Sequence, residues 1–165
     1  MADVYLTDSC FLAGEREQLE AFLHDQRLEI AGLLEGLSEE QARRRLVPSK
    51  TSVLSLVKHC TFVERVWFDV AFEGRTRAEV GLPEQVDESF DLDDHDTVES
   101  VRSGYLAAAA SAEEIAARHS LDDVALHNRR SPMSLRWVYL HLVEELARHA
   151  GHGDILREQI LARDA

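Results

Sequence analysis

Four segments of the chain carry apolar residues at steps of three and four, the spacing that lines one face of an α-helix. They run over residues 14–37, 52–74 and 96–115, and from residue 131 or 134 almost to the C-terminus. No segment has the alternation of apolar and polar residues that is typical of a half-buried strand. The pattern therefore predicts an all-α fold.

Residues at the ends of these segments indicate where the helices begin and end. Ser38 and Gln41 have the spacing of a capping box, which predicts a short connecting helix after the first long one. Gly74 is expected to end the second long helix in a left-handed conformation. Asp96 and Glu99 have a similar spacing and are expected to cap the third long helix.

Four long amphipathic helices in one chain favour a four-helix bundle. The chain has 165 residues, a length typical of one domain, so we assign residues 1–165 to a single domain. The long loop between the second and third long helices, residues 75–96, is expected either to cross the bundle or to act as a lid over a pocket. The sequence pattern leaves both arrangements open.

The charge balance excludes several classes of partner. The chain has 18 Lys and Arg residues and 31 Asp and Glu residues, which give a formal net charge of −13. This charge repels phosphate backbones and anionic lipid head groups, so we expect neither nucleic acid nor a membrane as a partner. Three consecutive arginines at 43–45 follow two glutamates, and we interpret them as a solvated helix face.

The cysteines and the N-terminus predict the compartment. Cys10 and Cys60 are the only cysteines, and their spacing matches neither a zinc knuckle nor a redox pair. We interpret both as small core residues of a protein in a reducing environment. The first residues lack the basic and apolar regions of a signal peptide, so we expect a cytoplasmic location.

Polar residues interrupt two apolar helix faces. The face of the fourth long helix carries Leu135, Val138, Leu142, Glu145, His149, His152 and Leu156, and that of the second carries Ser52, Leu56, His59, Val63, Val66 and Val70. An unpaired carboxylate or imidazole is costly to bury, so these groups require a charge, a hydrogen bond or a metal ion. His59, Glu145 and His149 are a donor set that leaves open positions on a divalent ion, as in catalytic sites. A buried ion pair between Glu145 and His149 is the structural alternative.

Two further histidines flank this set on the same helix. His141 lies one turn before Glu145, and His152 lies three residues after His149. We predict that both act in catalysis by orienting ligands or moving protons, although either has a position from which it could replace a ligand. Glu20 and His24 repeat the spacing of Glu145 and His149, but charged neighbours indicate a solvated face.

Three stretches of the chain resemble a known superfamily. The stretches are residues 46–59, with LVPSKTS leading to LVKH, residues 63–68, VERVWF, and residues 135–152, from LRW through HLVEE to HAGH. They resemble the DinB-like superfamily, and in particular its actinobacterial branch of small proteins. The position of Glu145 is similar to that in the N-terminal domain of mycothiol-dependent maleylpyruvate isomerases, whose additional C-terminal domain a chain of this length does not contain.

The resemblance implies a fold, a site and an activity. It implies a four-helix bundle that holds a divalent ion, zinc or alternatively nickel, through His59, Glu145 and His149. It further implies an enzyme that activates mycothiol or another low-molecular-weight thiol. The activated thiol would either be transferred to a small-molecule substrate or bring about the isomerisation of that substrate. The resemblance also implies a homodimer. Two alternatives stay open: a hydrolase that uses the same metal site, and a non-catalytic metal-binding or stress-response protein.

Overall fold

The computed structural model describes residues 5–164, and helices dominate it. The helices are α1 (Glu15–Gly32), α2 (Glu39–Arg43), α3 (Val53–Arg65), α4 (Val98–Ala116) and α5 (Leu135–Arg163), and the strands are β1 (Val124–Ala125) and β2 (Met133–Ser134). Two single-turn 3₁₀ helices lie at Leu6–Ser9 and Val86–Phe90. The all-α prediction is confirmed except for the antiparallel pair of two-residue strands, which is too short to produce a visible alternation.

The four long helices pack around one apolar core. The most extensive contacts join α3 to α4 and α1 to α5, and contacts of α3 with α5 and of α1 with α4 complete a ring. Gly153 allows the close approach of α1 and α5, because a Cβ atom there would lie 2.3 Å from the side chain of Leu33. Burial of a large aliphatic side chain contributes about 1.5–3 kcal/mol, so this core is the main source of stability.

The helix ends follow the capping signals with one exception. Ser38 and Gln41 form the predicted capping box, and Gly74 has the predicted positive φ of 72°. The prediction that Asp96 caps α4 is wrong: Thr97 is the N-cap, with its hydroxyl accepting from the backbone N–H of Ser100. Asp96 instead accepts a hydrogen bond from the ammonium of Lys58 at 2.7 Å, so the carboxylate is held by α3.

Helix α3 ends in a turn of different pitch. Residues Val66–Val70 form a π-helical turn, in which the backbone N–H of Ala71 donates to the carbonyl of Val66 at 3.1 Å. Such turns widen a helix locally and are common at functional sites. Val66, Trp67 and Val70 from this turn line a cavity that also contains His59 and Glu145 in its wall.

The loop between α3 and α4 lies along α3 and covers it. Lys50 pairs with Asp87 and Asp91 at 2.7 Å each, and Lys58 pairs with Asp96 at the same distance. These ion pairs tie the acidic loop to the start of α3. Over residues 5–164, no helix combines the length and the apolar character needed to span a membrane.

Candidate metal and thiol site

The structure brings together the three residues predicted as metal ligands. His59 comes from α3, and Glu145 and His149 lie one turn apart on α5. The Oε1 atom of Glu145 lies 3.2 Å from Nε2 of His149 and 3.9 Å from Nε2 of His59. One ligand atom from each residue lies within 4.8 Å of the others, so a single ion can contact all three.

The protonation states of Glu145 and His59 are those that metal binding requires. The hydrogen bond from His149 holds the pKa of Glu145 well below its usual range, against the opposing effect of partial burial. Burial lowers the pKa of His59. At neutral pH the site therefore presents an ionised carboxylate beside a neutral imidazole, the forms that bind metals.

Ser89 fixes the tautomer of His59. The hydroxyl of Ser89 donates its only proton to the carbonyl of Val86 at 2.5 Å, so its oxygen must accept at 2.7 Å from Nδ1–H of His59. Phe90 holds the same ring by stacking, with centroids 4.1 Å apart. The lone pair of Nε2 is thereby directed to the side of His59 on which Glu145 lies.

The resulting arrangement fits a cation better than a hydrogen-bonded network. The lone pair of His59 Nε2 and the carboxylate of Glu145 are both acceptors, and no proton lies between them at 3.9 Å. Nδ1 of His149 is buried and has no hydrogen-bond partner among the described residues. His59 is buried and Glu145 is half-buried. Acceptors that face one another in such surroundings are unfavourable unless a positive charge lies between them, and two imidazoles with one carboxylate are common ligands of zinc.

A cavity of about 640 Å³ opens beside the three residues. Its lining includes the aromatic and aliphatic side chains Phe62, Val63, Val66, Trp67, Val70 and Val86, the polar residues His59, His127, His141 and Glu145, and four arginines, Arg75, Arg77, Arg129 and Arg130. A space of this size accommodates a small organic molecule next to the candidate ligands.

The structure places the two predicted catalytic histidines differently. His141 lines the cavity between Trp67 and Trp137, with ring centroids 5.1 and 5.0 Å away. Burial lowers the pKa of His141, and the charge of Glu145 opposes that shift. His152 is exposed, lies 6.1 Å from the His149 ring between centroids and is not part of the cavity wall. The geometry therefore brings His141, but not His152, to the space where a substrate would bind.

Two segments outside the long helices contribute to the cavity wall, and the sequence pattern indicates only one of them. The loop of residues 75–96, expected either to cross the bundle or to act as a lid, contributes Arg75, Arg77 and Val86 to the wall. The other segment is the turn between β1 and β2, anchored by the N–H of His127, which donates to the carbonyl of Ala71 at 3.2 Å. Gly74 permits this contact, since a Cβ atom there would lie 3.1 Å from the His127 ring.

Ser89 and the hairpin turn are functional candidates that sequence reasoning missed. Ser89 is an isolated serine in an acidic loop, 30 residues from His59, and no local spacing connects the two. The hairpin strands have two residues each, too few for a periodicity. Only the pairing of distant segments in the fold brings these groups to the site.

A comparison with known families decides the family of this chain. The family model described as mycothiol-S-transferase matches residues 18–162, which include all three candidate ligands. The chain belongs to the mycothiol-S-transferase family. This is a DinB-like family, so the resemblance to that superfamily is confirmed. No curated protein and no solved structure matches the chain significantly.

Within this member of the mycothiol-S-transferase family, the protein's own thiols are remote from solvent. Cys10 and Cys60 are both buried and free. Burial raises the pKa of the Cys60 thiol well above its usual value, and the nearby charge of Glu64 acts in the same direction. Because the thiolate is the nucleophilic form, Cys60 is a poor nucleophile in the folded protein.

Proposed function

We propose that this protein is a metal-dependent transferase that activates mycothiol, or a related low-molecular-weight thiol, and joins it through its sulfur to a small electrophile. The four long helices act in this proposal as a four-helix bundle of the DinB-like type. The observation that carries the proposal is the pair of facing acceptors, His59 Nε2 and the Glu145 carboxylate, at the wall of a cavity of about 640 Å³. The family assignment supplies the thiol.

His59, Glu145 and His149 would hold the metal ion. Their nitrogen and oxygen donors suit zinc, with nickel as the alternative, and three protein ligands leave a position for an exogenous group. A divalent ion bound there would make a coordinating thiol deprotonate, which supplies the nucleophile at neutral pH. Ser89 keeps His59 in the tautomer that presents Nε2 to the ion.

The residues around the cavity would direct the transfer. His141, whose ring is held between Trp67 and Trp137, is neutral at physiological pH and can accept at its imidazole nitrogen the proton that the thiol releases. The sulfur then forms a bond to the electrophilic carbon, and the leaving group departs with its electron pair. His152 would have an indirect role, because it lies outside the cavity.

The proposal includes a compartment and an oligomeric state. A low-molecular-weight thiol stays reduced in the cytoplasm, and the two free cysteines agree with that compartment. We further propose a homodimer on the basis of the family resemblance. Size-exclusion chromatography with light scattering tests the dimer: a mass of twice 18.6 kDa is expected.

Metal content is the first test of the site. The untagged wild-type protein is expected to contain about one divalent ion per chain by mass spectrometry, and Glu145→Gln and His149→Ala are expected to lose it. His24→Ala is the matched control, since Glu20 and His24 on α1 have the same spacing as Glu145 and His149. If all four proteins contain the same amount of metal after reconstitution, or none, the assignment of the ligands is wrong.

Thiol transfer is the second test. Zinc-loaded protein with mycothiol and 1-chloro-2,4-dinitrobenzene is expected to release chloride and form the thioether, with His59→Ala inactive. Bound metal without any thiol chemistry, but with hydrolysis of activated esters that depends on His59, would favour the hydrolase. Bound metal whose removal only unfolds the protein would favour the non-catalytic alternative.

A further inference from the structure

Four arginines line the cavity and give it a local excess of positive charge, although the protein as a whole is acidic. The chain has a formal net charge of −13, yet Arg75, Arg77, Arg129 and Arg130 all line this one cavity. Only two acidic residues, Glu84 and Glu145, are part of the same lining. Glu145 is already engaged with His149. The cavity thus has an excess of positive charge, which the thiol chemistry proposed above does not require.

Two of these arginines have carboxylate partners and two do not. Arg75 pairs with Asp69 at 3.0 Å, and Arg129 pairs with Glu84. Across residues 5–164, Arg77 and Arg130 have no carboxylate oxygen within 4.0 Å. Their positive charges are left uncompensated at the cavity.

Arg77 is held in place without being neutralised. Its guanidinium donates to the backbone carbonyls of Pro83 and Glu84 and lies over the Phe62 ring, 5.1 Å from the centroid. Arg129 donates to the same carbonyl of Glu84 at 3.2 Å, so two guanidinium groups converge on one oxygen. Burial, and next the charge of Arg129, lowers the pKa of Arg77. An anion between these groups would relieve their repulsion.

Arg130 provides the second charge from the hairpin turn. Its guanidinium carbon lies 6.0 Å from the centroid of the Trp67 ring, and that ring also contacts His141. The same lining contains the apolar side chains Val66, Val70 and Val86 beside polar ones such as Thr76, Gln85 and Asn128. The cavity therefore combines cationic groups with apolar side chains.

We propose that the electrophilic second substrate is an organic carboxylate, whose apolar body packs on the valines and whose carboxylate binds Arg77 and Arg130. The inference deepens the proposed transferase function and rests on it for the role of substrate. The thiol substrate is not the occupant, because mycothiol has no carboxylate or phosphate group and engages the site through sulfur. Two guanidinium groups without a carboxylate partner, beside apolar side chains, match a carboxylate with an apolar body better than a small, strongly hydrated dianion.

Equilibrium binding tests this inference without relying on turnover. The probes are trans-cinnamate and its neutral isostere cinnamamide, followed through quenching of tryptophan fluorescence because Trp67 lines the cavity. Cinnamate is expected to bind about tenfold or more tightly than cinnamamide, since hydrogen bonds between charged partners are stronger than neutral ones. The preference is expected to shrink as ionic strength rises, because salt screens exposed charges.

Variants assign the preference to particular side chains. Arg130→Gln is expected to abolish most of it while leaving the fold intact, because no hydrogen bond of Arg130's guanidinium is present in the described chain. Arg130→Lys and Arg77→Lys keep the charge and are expected to retain a part of it. Arg102→Gln on α4, remote from the cavity lining, is the control and is expected to bind both probes as the wild type does.

The outcomes separate this inference from the proposed function. Equal binding of cinnamate and cinnamamide, or binding of neither compound, overturns the carboxylate site even if thiol transfer is observed. Tighter binding of phenyl phosphate than of cinnamate also overturns it and assigns the arginines to a phosphate. Selective binding of cinnamate through Arg130 without any metal binding or thiol transfer supports the carboxylate site and contradicts the transferase.

Discussion

Two polar clusters between helices of this protein have similar chemistry, but they differ in whether their hydrogen-bonding groups find partners within the chain. Between α1 and α3, the guanidinium of Arg27 forms two hydrogen bonds of 2.8 Å to the two carboxylate oxygens of Glu64. Between α3 and α5, His59 and His149 approach one carboxylate, Glu145, and leave acceptors unsatisfied. We call the first, whose charged groups bind one another, the closed cluster, and the second, which leaves acceptors without a donor, the open cluster.

The difference shows how burial of charge can serve either the fold or a ligand. In the closed cluster the remaining guanidinium nitrogen binds Glu113 at 3.0 Å, so the donors of Arg27 are used within the chain. Although burial opposes it, the charge of Glu64 keeps the pKa of Arg27 above its usual value. In the open cluster Nδ1 of His149 has no partner among the described residues, and His59 and Glu145 line a cavity. An external cation is therefore needed only there.

The largest expected effect comes from breaking the closed cluster. Glu64→Ala leaves a buried guanidinium without its main partner and is expected to lower the free energy of unfolding by about 3–5 kcal/mol. Urea denaturation measures this loss. The double variant Arg27→Met/Glu64→Leu removes both charges and is expected to recover most of the stability. Failure of that recovery would mean that packing, rather than the unpaired charge, accounts for the loss.

The open cluster should depend on metal instead. Zinc at about 100 times its dissociation constant is expected to raise the free energy of unfolding of the wild type by about 2.7 kcal/mol. His149→Ala should lose this gain, whereas Glu64→Ala, although less stable, should retain it. Paired thermal melts with zinc and with a chelator measure both. A zinc effect that persists in His149→Ala would show that the ion binds elsewhere.

Replacement of Ser89 is expected to have a smaller effect, on the metal affinity of the open cluster. Ser89→Ala removes the acceptor for Nδ1–H of His59, so the imidazole loses its fixed tautomer. Loss of such a hydrogen bond typically weakens metal affinity by about 10–100-fold. Competition with a zinc indicator measures it, with the exposed Ser103→Ala as control. Unchanged affinity would rule out Ser89 as a positioning residue.

The smallest effect is on the pH dependence of the metal-free protein. Burial lowers the pKa of His59, while the unfolded chain takes up the proton at about pH 6.5. Below that pH the unfolded state binds more protons, so stability falls as the solution is acidified. His59→Gln cannot titrate and is expected to lose less stability between pH 7 and pH 5.5. Parallel curves of urea midpoint against pH would contradict this.

Much of the fold could be predicted from local signals. The apolar spacing predicts the long helices, and the Ser38 box and Gly74 mark ends that the structure contains. The apolar faces also place His59, Glu145 and His149 toward the interior, where the structure finds them together. Periodicity and capping depend on residues within one or two turns, so they are visible in a single sequence.

Other features depend on contacts between distant segments. Nothing in the sequence distinguishes Arg27 from a solvent-exposed arginine, yet it is buried because Glu64 lies opposite it on α3. Similarly, Asp96 resembles a helix cap but is bound to Lys58, which leaves that position to Thr97. Neither the burial of Arg27 nor the pairing of Asp96 follows from the residue type, because the partner of each lies more than 35 positions away along the chain.

Local patterns along the chain thus predict the helices, the polar interruption of two apolar faces and, through their motifs, the family. The tertiary structure alone decided which acceptors face one another, that Ser89 orients His59, and that Arg130 of the hairpin turn reaches the cavity. The physical reason is that helix formation is governed by neighbours along the chain. A binding site is governed by the directions of hydrogen bonds and charges that meet only after the helices have packed.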